Sequence, residues 1–342
     1  MTAALPSTPN VNRFKWLACV AALMTYLLIV GGGMVRVTGA GLACGSDWPL
    51  CQGRVFLARD WPTFINSLHR LTTLLAALLI LGLAFEAGRG YRRVRWVVWP
   101  ALGALAALVA EIFLGAATVR AALNPALTVL HLATALILLA LLLIVTVVAF
   151  QLNSNPHLGE ALLHFDAVSR LAGAATLGVF GVIVAGALVT ATRAASACPD
   201  WPLCAGAMTP SSVAGLIHMG HRYLVGAVGL LVVAAVMRAW QLRRAATPVI
   251  GAATLAGAGF VAQVLGGAEQ VQRGNPAFLA GAHLALAAAV WAGMVVFAVL
   301  AMQYVQLSPL KFAVPAPARR ARMVTAFWDI IRAPQSAFTD PD

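Results

Sequence analysis

Eight stretches of this chain are apolar for about 20 residues or longer, the length that crosses a bilayer core as an α-helix. They fall near 16–37, 63–88, 96–119, 126–150, 168–191, 212–237, 248–269 and 277–304. Hydrocarbon offers no partner to a backbone amide, so a run of this length must close its own hydrogen bonds as a helix. Composition agrees, with 61% of residues apolar and only 10% charged, against about 25% charged in an ordinary soluble domain. A secretory signal does not explain the pattern, because the first run continues past Val30 and seven more follow. The expectation is an all-α integral membrane protein with eight transmembrane helices.

The net charge of +12 raises nucleic acid as a partner. The basic residues form no stripe with interleaved aromatics, and that excludes it. They cluster between apolar runs instead. Rich segments are the N-terminus (Arg13, Lys15), the second turn (Arg89, Arg92, Arg93, Arg95), the sixth (Arg238, Arg243, Arg244) and the tail (Lys311, Arg319, Arg320, Arg322, Arg332). The alternate connections hold Arg54 and Arg59, Arg120, Arg193 and Arg273. The positive-inside rule then places both termini in the cytoplasm. The basic tail, residues 305–342, is expected against anionic lipid.

The pentapeptide Asp-Trp-Pro-Leu-Cys occurs twice, ending at Cys51 and at Cys204, each time just after a second cysteine, Cys44 or Cys198. Both copies lie in extracytoplasmic connections, where oxidising conditions favour one disulfide per loop. A structural zinc is the alternative, although neither loop carries a histidine at finger spacing. Cys19 sits within the first run and reads as packing. The repetition extends beyond the loops. His69-Arg70 in "NSLHRL" matches His221-Arg222 in "HMGHRY", and His131 after "NPALTVL" matches His283 after "NPAFLAGA", both at an offset of 152 residues. "EIFLGAATV" likewise answers "QVLGGAEQV". The expected organisation is two four-helix bundles in parallel repeat, residues 12–150 and 168–304, joined by a cytoplasmic linker at 151–167.

Ligand-type side chains within a membrane mark function. His69, His131, His221 and His283 each follow a helix-starting proline (Pro62, Pro125, Pro210, Pro276) by six to eleven residues. Each half thus offers two imidazoles at similar depth near the outer face. This suits a flat apolar heme held between two histidines in a bundle. Zinc or copper fits less well, since no carboxylate or cysteine stands at equal depth to complete four ligands. His157 and His164 lie in the linker, and His218 shares a helical face with His221 as a supporting candidate. Arg70 and Arg222, with Arg36, Arg120 and Arg273 near outer helix ends, are candidates for heme propionates; snorkelling to lipid phosphate is the competing reading. Glu111 is a carboxylate within the third run and a site candidate.

Together, the duplicated "LHR" and "GHR", the "NP" before His131 and His283, the "LGA" and "LGG" segments and both cysteine pairs resemble the heme A synthase family, over residues 12 to about 304. The resemblance implies oxidation of the C8 methyl of heme O to the formyl of heme A through two successive hydroxylations, with oxygen from water and electrons passed to a membrane acceptor. It implies heme b as cofactor in the C-terminal half, on His221 and His283, and the substrate iron in the N-terminal half between His69 and His131. It further implies supply by a heme O synthase, delivery to cytochrome c oxidase assembly, a cell-membrane location and a structural role for Cys198 and Cys204. A homo-oligomer is compatible with it. One position departs: many members carry a glutamate three residues before the first histidine, where this chain has Asn66, which takes no proton. Either Glu111 substitutes for that glutamate or this copy is slow or inactive, and the expectation is that Glu111 substitutes. The alternative function is a di-heme electron carrier of the cytochrome b561 type, which would place its hemes toward both faces rather than one.

Overall fold

The computed structural model describes residues 10–154 and 165–311, with side chains to residue 303 apart from Ser154. His157, His164 and the basic residues of the tail lie outside the described residues. Every regular element longer than one turn is a helix: α1 (Val11–Val37), α2 (Trp61–Gly90), α3 (Arg95–Arg120), α4 (Pro125–Ser154), α5 (Ala167–Ala191), α6 (Val213–Leu242), α7 (Thr247–Gln272) and α8 (Ala277–Lys311). All eight are long and apolar enough to cross a membrane. The helices overrun the apolar runs by several residues. Segments 11–15 and 238–242, which carry Arg13, Lys15, Arg238 and Gln241, continue their helices beyond the apolar runs.

Side-chain caps set the starts. The Asp60 carboxylate accepts from the Thr63 amide at 2.9 Å while the Thr63 hydroxyl accepts from the Asp60 amide at 3.1 Å. This is a capping box with Pro62 in the first turn. The Thr63 amide holds the exposed Asp60 carboxyl below its usual range. Asp166 and Ser169 repeat the arrangement at α5. The Asn124 side chain accepts from the amides of Ala126 and Leu127 at the start of α4.

Four-residue turns join α2 to α3 and α3 to α4, as they do α6 to α7 and α7 to α8, which makes each pair antiparallel neighbours. The two long connections, 38–60 and 192–212, both carry a short 3-10 turn, a cis Trp–Pro peptide and a cysteine pair. Large apolar side chains such as Phe297, Leu136 and Leu142 are buried, yet many others are not. Alanines fill the interhelical seams (Ala18, Ala21, Ala104, Ala172, Ala235, Ala253 are buried), while Leu177, Leu230, Leu255 and Phe113 are largely exposed. Small residues let backbones approach where no hydrophobic force drives helices together in lipid.

Three buried or half-buried bonds tie α8 across the molecule. The Tyr26 hydroxyl of α1 donates to the Ala285 carbonyl at 3.2 Å, the Trp291 indole to Leu136 of α4 at 2.9 Å, and the Thr176 hydroxyl of α5 to Met294 at 3.1 Å. These contacts leave a cavity of about 800 Å³ among the helices.

Candidate active site

The four ligand candidates of the sequence analysis line that cavity, His69 from α2, His131 from α4, His221 from α6 and His283 from α8, and His218 of α6 lines it with them. His69 lies within Coulombic reach of His131, and His283 within reach of His221. His218 is within the same reach of His221. The ring of each ligand candidate is seated on a glycine of the preceding helix. A Cβ added at Gly32 of α1 would approach His69 Cε1 to 3.1 Å, at Gly115 of α3 His131 Cε1 to 3.4 Å, at Gly186 of α5 His221 Cε1 to 3.0 Å and at Gly267 of α7 His283 Cε1 to 2.9 Å. The sequence reading missed these glycines as site residues. Their signal was available in Gly115 and Gly267, which hold matched places in the "LGA" and "LGG" segments.

The Nδ1 atoms of His69 and His283 are buried with no hydrogen-bond partner among the described residues. Buried ring nitrogens are ordinarily satisfied, so ring nitrogens left without a partner around this cavity are suited to ligation. Contrary to the expectation that no carboxylate shares the histidines' depth, Glu111 stands against His131. The three donors of the first half and the three imidazoles of the second, His218 included, still fall short of the four ligands a bare zinc ion takes. A porphyrin brings four nitrogens of its own and needs only axial donors. The donor set therefore fits heme.

The partners of the α4 and α8 histidines differ. Glu111 Oε2 stands 2.9 Å from His131 Nδ1, off the ideal hydrogen-bond line. At the matching position on α7, the Gln263 amide lies 3.1 Å from His283 Nε2 and donates to the His283 carbonyl at 3.0 Å. One half thus puts a carboxylate against its histidine and the other puts an amide.

Asn66 is committed to structure. Its amide donates to the carbonyls of Ala40 and Gly41 at 2.7 and 3.2 Å, and its oxygen accepts from Arg70 Nε at 3.0 Å. His218, which holds the matching position in α6, is buried and meets Arg222 Nη2 at 3.4 Å. The two arginines beside the histidines face the loops. Arg70 donates to the carbonyls of Asp47 and Leu50. Arg222 donates to Asp200, Pro202, Leu203 and Cys198 at 2.8 to 3.3 Å. Both also line the cavity, as do Trp48 and Pro49 of the first loop and Trp201 and Pro202 of the second. The repeated pentapeptide is thus a cap on the cavity, stapled by an arginine from the helix below. Cys44 is bonded to Cys51 and Cys198 to Cys204, all four buried, so zinc has no thiolates to take there. Among the other arginines, Arg36 donates to the Thr190 carbonyl of α5 at 3.1 Å, and Arg273 pairs with Glu269.

Comparison with known proteins gives one answer. The family described as cytochrome oxidase assembly protein matches residues 15–61. Heme A synthases of Bacillus cereus strain 03BB102 and Bacillus anthracis strain CDC 684 / NRRL 3495 are each 32% identical over 215 residues, which is 62% of this chain and 69% of each relative. The heme A synthase of Bacillus cereus strain AH187 matches to the same extent.

Proposed function

The chain belongs to the heme A synthase family, and from that premise we propose that His69 and His131 hold heme O as substrate while His221 and His283 hold a resident heme b. The reaction itself is the oxidation of heme O to heme A by a multi-pass membrane oxidoreductase. The di-heme carrier alternative is not favoured. The observation that carries the division is the unequal pair on α3 and α7, Glu111 beside His131 against Gln263 beside His283.

Turning a methyl group into a formyl with water as the oxygen source releases four protons and four electrons. The protons need an acceptor at the substrate, a task typically worth about 10²- to 10⁴-fold in rate. A carboxylate accepts a proton and a carboxamide does not. Asn66, with its amide and carbonyl engaged, holds α2 to the loop, so the role falls to Glu111 in the half where the substrate binds. Gln263 suits a half whose ligand stays in place. Resident heme b supplies one-electron carriage toward a membrane acceptor. Around it, His221 and His283 fix the ring, Gly186 and Gly267 let both imidazoles lie against backbone, and Arg222 holds the second loop over the site. Heme O synthase supplies the substrate and cytochrome c oxidase assembly takes the product. Both termini are cytoplasmic and both cysteine loops lie outside the cell membrane.

Co-expression with a heme O synthase, followed by chromatography of extracted hemes, tests the assignment. His221→Ala or His283→Ala is expected to remove the resident heme b spectrum. His69→Ala or His131→Ala is expected to keep that spectrum, stop heme A and accumulate heme O. Glu111→Gln should retain both hemes and lose about 100-fold in heme A. Bleaching of the resident heme by the His69 or His131 substitutions would reverse the assignment of the halves.

A further inference from the structure

Thr118 is the one threonine of these helices with a buried hydroxyl that has no partner among the described residues. A threonine in a helix commonly returns its hydroxyl to the carbonyl four residues back. Thr25, Thr73, Thr134, Thr146, Thr176 and Thr254 do so, at 2.7 to 3.0 Å. Thr118 makes no such bond. Its residue is only 7% exposed, its hydroxyl has no partner among the described residues, and it lines the histidine cavity. It sits on α3 one turn beyond Gly115, the seat of His131, and two turns beyond Glu111. Val119 and Leu123 line the same cavity. At the corresponding place on α7, the Gln270 amide is taken up by the Asn275 side chain at 3.2 Å. The second half satisfies its polar group internally and the first half leaves one open. A buried hydroxyl without a partner is costly, and a ligand oxygen relieves that cost.

We propose that Thr118 is a specificity-determining residue of the substrate site, its hydroxyl donating a hydrogen bond to an oxygen on the periphery of the bound porphyrin. This rests on the assignment of the N-terminal half to substrate. Two oxygens share the required chemistry: the hydroxyl of the hydroxyalkyl chain that distinguishes heme O from heme b, and a propionate carboxylate.

The test is an absorbance titration of the purified full chain, its resident heme in place, with heme O, heme b and the dimethyl ester of heme O. Thr118→Val keeps the shape and removes the hydroxyl, and is expected to weaken heme O binding about tenfold. Thr118→Ser is expected to restore it, with the resident heme spectrum unchanged in both. A loss confined to heme O and its ester identifies the chain hydroxyl. A loss shared by heme O and heme b but absent with the ester identifies a propionate, and either result supports the proposal. Parental affinity of Thr118→Val for all three ligands overturns it, as does an equal loss for all three. His131→Ala separates the premise from the inference. If it binds heme O like the parent, the substrate assignment fails whatever Thr118 does.

Discussion

A glycine beneath an imidazole is a residue-scale device, and here it occurs four times in one cavity. Without a Cβ the helix backbone approaches the ring directly, so the ring plane is set by a rigid neighbour rather than by a mobile side chain. The added-Cβ distances rank the four seats: 2.9 Å at Gly267, 3.0 Å at Gly186, 3.1 Å at Gly32 and 3.4 Å at Gly115. The first is closer than real Cβ atoms come, and at the next two the ring must give by a few tenths of an ångström; overpacking of that kind costs roughly 1–3 kcal/mol. Gly267→Ala and Gly186→Ala are therefore expected to turn or expel their histidine and to weaken retention of the resident heme. Gly115→Ala, near ordinary van der Waals contact, is expected to be tolerated. Heme content and the low-temperature spectrum of each purified variant check the order, and equal bleaching by Gly115→Ala and Gly267→Ala would discard it. Sequence alone did not single these residues out, because glycine in a membrane helix reads first as general helix packing. What separates a seat from a seam is which side chain lies opposite, and that is a tertiary fact.

At the scale of an element, the two cysteine loops show where the sequence was legible and where it was not. Their repetition, the cysteine pairing and their position between α1 and α2 and between α5 and α6 all followed from spacing and charge. The work of Arg70 and Arg222 did not. An arginine beside a histidine suggests propionates or lipid phosphate, yet an irregular loop carries carbonyls that need donors. A planar guanidinium reaches several of them at once, as Arg222 does with four. The ammonium of lysine lacks that fork. Arg222→Lys is expected to lose at least one charge-assisted bond, worth about 1.5–3 kcal/mol. The loop then opens tenfold or more often, and the buried Cys198–Cys204 bond is reduced correspondingly faster by a small thiol. Arg238→Lys, a substitution at the opposite end of α6, leaves that rate alone. Reduction followed by mass-resolved alkylation reads both. An unchanged rate in Arg222→Lys would show that the disulfide and the packing of the loop hold it without the arginine.

For the whole molecule, eight helices were legible because hydrocarbon thickness fixes a minimum apolar length. Their ends were not, because α1 and α6 continue beyond the apolar runs through Arg13, Lys15, Arg238 and Gln241. Asymmetry of charge at the two ends supplies the orientation. The ends of α1 and α5 are joined by Arg36 to the Thr190 carbonyl, and Asn275 of the α7–α8 turn donates to Ala195 in the second loop at 3.4 Å. Both capped loops and that turn therefore share one end. The opposite end carries Arg89, Arg92, Arg93, Arg95, Arg238, Arg243 and Arg244 around two four-residue turns. Short cation-rich connections are ordinarily retained on the cytoplasmic side, so both disulfide loops are expected outside. The expected outcome is read by thiol labelling of cells expressing the full chain. After treatment with a membrane-impermeant reductant, an impermeant maleimide should reach Cys44, Cys51, Cys198 and Cys204 in intact cells. A cysteine placed at the other end by Gly90→Cys, which leaves every arginine in place, should label only once the membrane is opened. Cys19, within α1, serves as the internal reference for a thiol in the lipid-spanning region. Labelling of Gly90→Cys from outside, with the loop cysteines protected, would invert the molecule. The cavity mouth beneath the loops would then face the cytoplasm.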